Sequence, residues 1–132
     1  MRLKVVTTGL RCYPDVSVYC QPLELDDEDA ARQTCTNPTV VFEVLSKTTE
    51  AYDRGFKSEN YRRIPSLRAY VLLSQEVPHV EIYERESHVR WGFCEAEGGD
   101  AVLRTSALSI ELSLSKIYDA IDFSEGTPPC LS

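Results

Sequence analysis

The chain has 132 residues, 42% of them hydrophobic and 27% charged, and carries a net charge of −7. That size suits one domain burying about two-thirds of its unfolded surface, with no need of a disulfide or metal staple. No apolar run approaches the roughly 18 residues that cross a bilayer, the N-terminus lacks a secretory signal, and the acidic balance gives no ground for general nucleic-acid affinity. Five cysteines (Cys12, Cys20, Cys35, Cys94 and Cys130) form no CxxC pair. They read as reduced packing thiols, and the expected setting is the cytoplasm.

Taken in order, "RLKVVTT" alternates as a strand and "TGLRCYP" carries turn chemistry. "DVSVYC" (15–20) reads as a second, central strand entered through Pro14, where a missing N–H is tolerated. Residues 21–37 form a polar connection containing the acidic run "ELDDED" (24–29), expected to be a solvated loop or frayed helix start. "TVVFEVLS" (39–46) is the strongest strand, and "SKTTEAYDRGFKSENYRRIPS" after it reads as a helix. Thr48 or Thr49 caps its start, and Pro65 with its β-biased predecessor Ile64 ends it. Tyr52 and Phe56 share a stripe expected to face the sheet, with the row Asp53, Lys57, Tyr61 at its margin. "LRAYVLLS" (67–74), "HVEIYER" (79–85) and "HVRWGFCEA" (88–96) are strand-like with hairpin turns between them. Tyr83, Trp91 and Phe93 belong to those patterns as core or cross-strand residues, and His79 and His88 show no zinc spacing. "AVLRTS", a short strand and a helix near 113–121 close the domain; residues 123–132 form a Pro/Gly/Ser-rich flexible tail. One strand–helix–strand crossover joined to a β-meander makes a mixed α/β or α+β sheet.

Glu43 stands out within this pattern. Val40, Phe42 and Val44 point to one face of their strand, and Val41, Glu43 and Leu45 to the other. A carboxylate between two apolar neighbours needs a cation, because an unpaired buried charge is costly. A structural ion pair to Arg54 or Lys57 would answer that need; so would a metal. Asp15, in "YPDVSV", opens another strand, and two strands can present two carboxylates together with a main-chain carbonyl, here that of Val44. Such an oxygen set suits Mg2+, with waters left for a phosphate. A lysine nearby could stabilise charge developing on that phosphate. The segment Lys47–Arg68 holds six basic and three acidic residues, a local +3 against −10 elsewhere.

The ordered combination "YPD", "NPTVVFEVLS", "TEAYDRGFK" and "YRRIPSLRAYVLL", extending from about Val5 to Tyr118, closely resembles the Uma family of bacterial endonucleases, in the PD-(D/E)XK nuclease superfamily. The resemblance implies a restriction-endonuclease-like core: a central mixed sheet with an antiparallel meander and flanking helices. It also implies hydrolysis of DNA phosphodiesters with Mg2+ or Mn2+, Asp15 and Glu43 being the acidic ligands. The superfamily's lysine usually stands two residues after the second acid, where this chain has Leu45. The family resemblance puts Lys57 of "DRGFK" in that role, with Lys47 the alternative. Family members carry a further N-terminal region before the "YPD" strand, so residues 1–122 are expected to form a shortened nuclease-like domain. A homodimer would suit an exposed sheet edge. The rival expectation is a non-catalytic module of the same fold that binds DNA or protein.

Overall fold

The computed structural model describes residues 2–105, 109 and 111–119. In chain order these form β1 (Arg2–Lys4), β2 (Arg11–Cys12), β3 (Val16–Val18), β4 (Thr34–Cys35) and β5 (Val40–Leu45). A continuous helix, α1, follows, α-helical over Glu50–Tyr52, π-helical over Asp53–Lys57 and α-helical again over Ser58–Tyr61. Then come β6 (Ala69–Ser74), β7 (His79–Arg85), β8 (Trp91–Glu97), β9 (Val102–Arg104), β10 (Glu111–Ser113) and a short α2 (Leu114–Ile117).

The main sheet has five strands in the order β3-β5-β6-β7-β8. The β-branched run of β5 lies parallel to β6, as the α1 crossover requires, and β6, β7 and β8 pair antiparallel as the expected meander. Alternation along β5 sorts its side chains as the sequence predicts. Val41 and Leu45 join one core cluster with Leu3, Val5, Tyr61, Ile64, Leu67, Tyr70 and Leu72, beneath β1 and α1. Val40 joins the other, with Val71, Val80, Ile82, Leu103 and Leu114, beneath β9 and α2, and Phe42 packs against it. Each of these side chains contributes about 1.5–3 kcal/mol by leaving water, and together they fix the sheet between two covered faces. The T-shaped Tyr61–Tyr70 contact, with ring centroids 5.0 Å apart, seats the helix on the sheet. Tyr83 and Phe93 stand opposite each other across β7 and β8, the expected cross-strand pair.

Four expectations are corrected. First, β3 is an edge strand, pairing only with β5 among the described residues, and its Val16 and Val18 are exposed. The pattern "DVSV" alternates equally well for an edge, and only neighbours decide the difference. Second, the stretch 21–37 is more than a connection: β4 within it runs parallel to β1, pairing Arg2 with Thr34 and Leu3 with Cys35. Third, the acidic run is not simply solvated. Asp26 is buried against Lys4 and Arg11, and Asp29 accepts from Thr34 and pairs with Arg2. Fourth, α1 is turned one row from the expected face. Tyr52 and Phe56 remain 44% and 51% exposed, stacked on each other, while Asp53, Lys57 and Tyr61 face the sheet. Glu43 sets that rotation, because stripping the partner from a buried charge costs about 3–5 kcal/mol. Tyr61, fully buried on the same row, recovers the aromatic contact that the two exposed rings forgo. The helix expected over 113–121 is shorter, spanning Leu114–Ile117 with Tyr118 and Asp119 in a turn; the rest of that expectation and the expected tail lie outside the described residues.

Candidate functional site

Three elements converge on Glu43. From β5 its side chain projects under α1, leaving the residue 4% exposed. Lys57 Nζ donates to Glu43 Oε1 at 2.8 Å, and Tyr61 OH donates to the same oxygen at 3.1 Å. Asp53, one turn before Lys57, lies with Oδ1 3.5 Å from the ammonium and is itself buried. Its main-chain carbonyl accepts from Tyr70 OH at 3.1 Å, which pins the π turn to the sheet. Cys12 of β2 comes within 2.9 Å of Tyr61 OH and closes the cluster on the remaining side.

Asp15 enters from the start of β3. The β3–β5 ladder ends at Val16 and Phe42, and the next free N–H on β5, that of Val44, is taken by Asp15 Oδ2 at 2.7 Å. Pro14 explains the local geometry: it can donate no hydrogen bond, so pairing stops there and the following carboxylate folds back onto β5. Asp15, Glu43 and Lys57 are thereby brought together, with Val44 between the two acids. Lys47 is not brought to them; it lies on the surface, 3.5 Å from Glu76. Arg54 turns away as well, to Glu50 and Glu81. A cleft of about 890 Å3, lined by residues including Arg68, Arg85 and His88, lies apart from this cluster.

The charges do not balance. Glu43 and Asp53 share one lysine, and Asp15 adds a further negative charge near Glu43. Burial, with smaller contributions from Asp15 and Asp53, pushes the Glu43 carboxyl up from 4.5 to about 7, although Lys57 pulls the other way. Burial would lower the Lys57 ammonium, but Glu43 and Asp53 outweigh it and hold its pKa above the ordinary 10.5. At neutral pH the lysine is charged, and Glu43 is close to its own midpoint. Two oxygens are open: Glu43 Oε2 and Asp15 Oδ1 accept no hydrogen bond among the described residues.

A family profile described as "Putative restriction endonuclease", Uma2, matches residues 1–116. The chain belongs to the Uma2 family. Two uncharacterized proteins of Synechocystis sp. (strain ATCC 27184 / PCC 6803 / Kazusa) are similar to it. With slr1290 it shares 31% identity over 123 residues, 93% of this chain and 62% of the relative. With sll1609 it shares 32% over 110 residues, 83% of this chain and 61% of the relative. The chain thus spans about three-fifths of the length of these two relatives. A crystal structure from Anabaena variabilis ATCC 29413, described as "a putative nuclease belonging to DUF820", superposes with a TM-score of 0.62. The match has 14% identity and covers 86% of this chain and 62% of that one. At that identity the likeness speaks to the fold, a mixed α+β, restriction-endonuclease-like core.

Asp53 and Tyr61 are the members of the cluster that the sequence reading placed only at the helix margin. The signal was present in their i, i+4, i+8 spacing through Lys57. Once the buried carboxylate is taken to choose the helix face, that spacing puts both beside it.

Proposed function

We propose that this chain forms the catalytic core of a metal-dependent endonuclease that hydrolyses phosphodiester bonds in DNA. The observation that carries this reading is the meeting of Asp15, Glu43 and Lys57 at one end of the β3–β5 pair, in a member of a family described as restriction endonucleases. The donor chemistry supports a hard cation: two carboxylates with open oxygens and the main-chain carbonyl of Val44 form an all-oxygen set suited to Mg2+ or Mn2+. Such an ion, when bound by these residues, would polarise a phosphoryl oxygen and make bound water a stronger acid.

The chain's own residues have separate tasks. Tyr61 and Lys57 hold Glu43 by one oxygen, so the other is presented in a fixed direction. Asp15, bonded to the Val44 N–H, fixes the peptide between the two acids. Lys57 keeps its proton and stands as a preorganised positive charge for a phosphate approaching the site. The net +3 of residues 47–68, with Arg62 and Arg63 exposed, offsets the acidic surface along that approach. DNA as the substrate, a homodimer formed through the open β3 edge, and a cytoplasmic setting belong to the same proposal. Among the described residues, no helix is long and apolar enough to cross a membrane.

The test is cleavage of supercoiled plasmid with Mg2+ or Mn2+ by the wild type, Asp15→Asn and Glu43→Gln. Cleavage by the wild type and its loss in both variants is expected; equal activity in all three would remove these residues from the role. A folded protein that binds no Mn2+ at millimolar concentration would instead mark the non-catalytic module.

A further inference from the structure

Antiparallel pairing of β7 with β8 sets Glu81 opposite Glu95, and His79 lies two residues before Glu81 on the same face. Their donor atoms converge: His79 Nε2 is 2.9 Å from Glu95 Oε2 and 3.8 Å from Glu81 Oε1, and all three atoms lie within 4.8 Å of one another. This group is separate from the Glu43 cluster. In register, Glu43 faces Leu72 and Leu72 faces Glu81, so two strand spacings, about 10 Å, intervene.

The three donors are unequal. Glu81 is 4% exposed, and its Oε2 is held by Arg54, which also grips Glu50 of α1. Its Oε1 accepts no hydrogen bond among the described residues and points at His79 and Glu95. Two carboxylates brought this close repel one another, and a cation between them relieves that repulsion. His79 is fixed from behind, its main-chain carbonyl 2.9 Å from Tyr118 OH. Glu95 is the adaptable member, with its side chain 54% exposed.

We infer that His79, Glu81 and Glu95 form a second metal site, selective for a borderline divalent transition ion such as Zn2+. An imidazole nitrogen with two carboxylates favours Zn2+ over Mg2+, in contrast to the all-oxygen set at Asp15 and Glu43. Bonds of about 2.1 Å to three such donors place them about 3–3.5 Å apart. Two of the present separations straddle that range, the third is no more than 4.8 Å, and the exposed Glu95 side chain can turn to adjust both of its own. Arg54 acts as the outer partner that orients Glu81. The ion clips β8 to β7 at the sheet edge and, through Arg54 and Glu50, fastens the helix that carries Lys57. It needs no catalytic role, and the inference stands apart from the reading of Asp15 and Glu43.

Isothermal titration of the full chain with Zn2+ alone tests it, alongside NMR of the two histidines. One equivalent of Zn2+ is expected to bind, shifting the His79 ring resonances and leaving those of His88 in place. His79→Gln and Glu95→Gln weaken binding by at least about tenfold, while Asp15→Asn and Glu43→Gln retain it. Zn2+ raises the thermal midpoint of the wild type and not that of His79→Gln. Circular dichroism confirms folding, and the exposed Glu95 makes Glu95→Gln the safer variant. Unchanged Zn2+ affinity in both His79→Gln and Glu95→Gln, loss of binding in Glu43→Gln instead, or an unmoved His79 ring would each overturn the inference.

Discussion

Lys57 lies between Glu43 and Asp53, and Lys4 lies between Asp26 and Glu28, two clusters with the same starting count of charges. Around Lys4 a second cation, Arg11, reaches both acids. The hydrogen bond from Lys4 holds Glu28 below the ordinary carboxylate range. Burial pushes Asp26 upward, but the Glu28 N–H, Lys4 and Arg11 overcome it and hold Asp26 below that range too. Around Lys57 the additional group is an anion, Asp15, and Glu43 is driven upward. One cluster is balanced and closes the β1 end of the fold against the acidic run. The other keeps an excess of negative charge under a helix, where a further cation would relieve it.

The largest expected effect is that of Lys57→Met. It removes the one cation beside Glu43 among the described residues and costs about 3–5 kcal/mol by urea denaturation. Lys4→Met leaves Arg11 in place and costs clearly less; equal losses would break the comparison. Next comes pH. The folded pKa of Glu43, about 7, lies above its ordinary 4.5. Its contribution to stability is therefore full below pH 4.5 and is lost as pH rises to about 7. Asp26 and Glu28 have the opposite sign: their contribution is present above their ordinary values and lost as pH falls below them. Urea midpoints between pH 4 and pH 8 are expected to show Glu43→Gln gaining on the wild type as pH rises, and a flat difference would contradict the assignment.

Smaller effects sharpen the picture. Tyr61→Phe deletes one hydrogen bond to Glu43 and costs about 1 kcal/mol. Asp15→Asn keeps an acceptor for the Val44 N–H and costs less than about 1 kcal/mol, yet titration calorimetry is expected to show Mn2+ affinity reduced at least about tenfold. Phe56→Ser changes stability by no more than about 0.5 kcal/mol, since the ring already stands half in water. A large loss there would show that the helix rests on the face the apolar stripe suggested.

From Val40 onward the fold was legible, because β-branched runs, proline stops and turn residues all act locally there. The two-residue strands Arg11–Cys12 and Thr34–Cys35 were not: the first is hidden among turn residues that close a hairpin with β1, and the second is made a strand by β1, distant from it in the chain. Asp15 and Glu43 could be paired on paper because a carboxylate in an apolar run demands explanation wherever it occurs. The rotation of α1 could not, because hydrophobic periodicity counted two aromatics and gave no weight to one buried charge. His79, Glu81 and Glu95 become a group only once the β7–β8 register is known; by sequence spacing alone they are unremarkable acids and a histidine.

The π turn from Asp53 to Lys57 works as a spacer in the helix. It holds one residue more than an α turn would need, and Gly55 within it has no side chain to place. A helix that takes in one residue this way widens a single turn and leaves the turns on either side near their ordinary phase. At about 100° per residue, uninterrupted winding would set Asp53 and Tyr61, eight positions apart, about 80° from each other. The widened turn is what lets one face of the helix bring both of them to the Glu43 cluster.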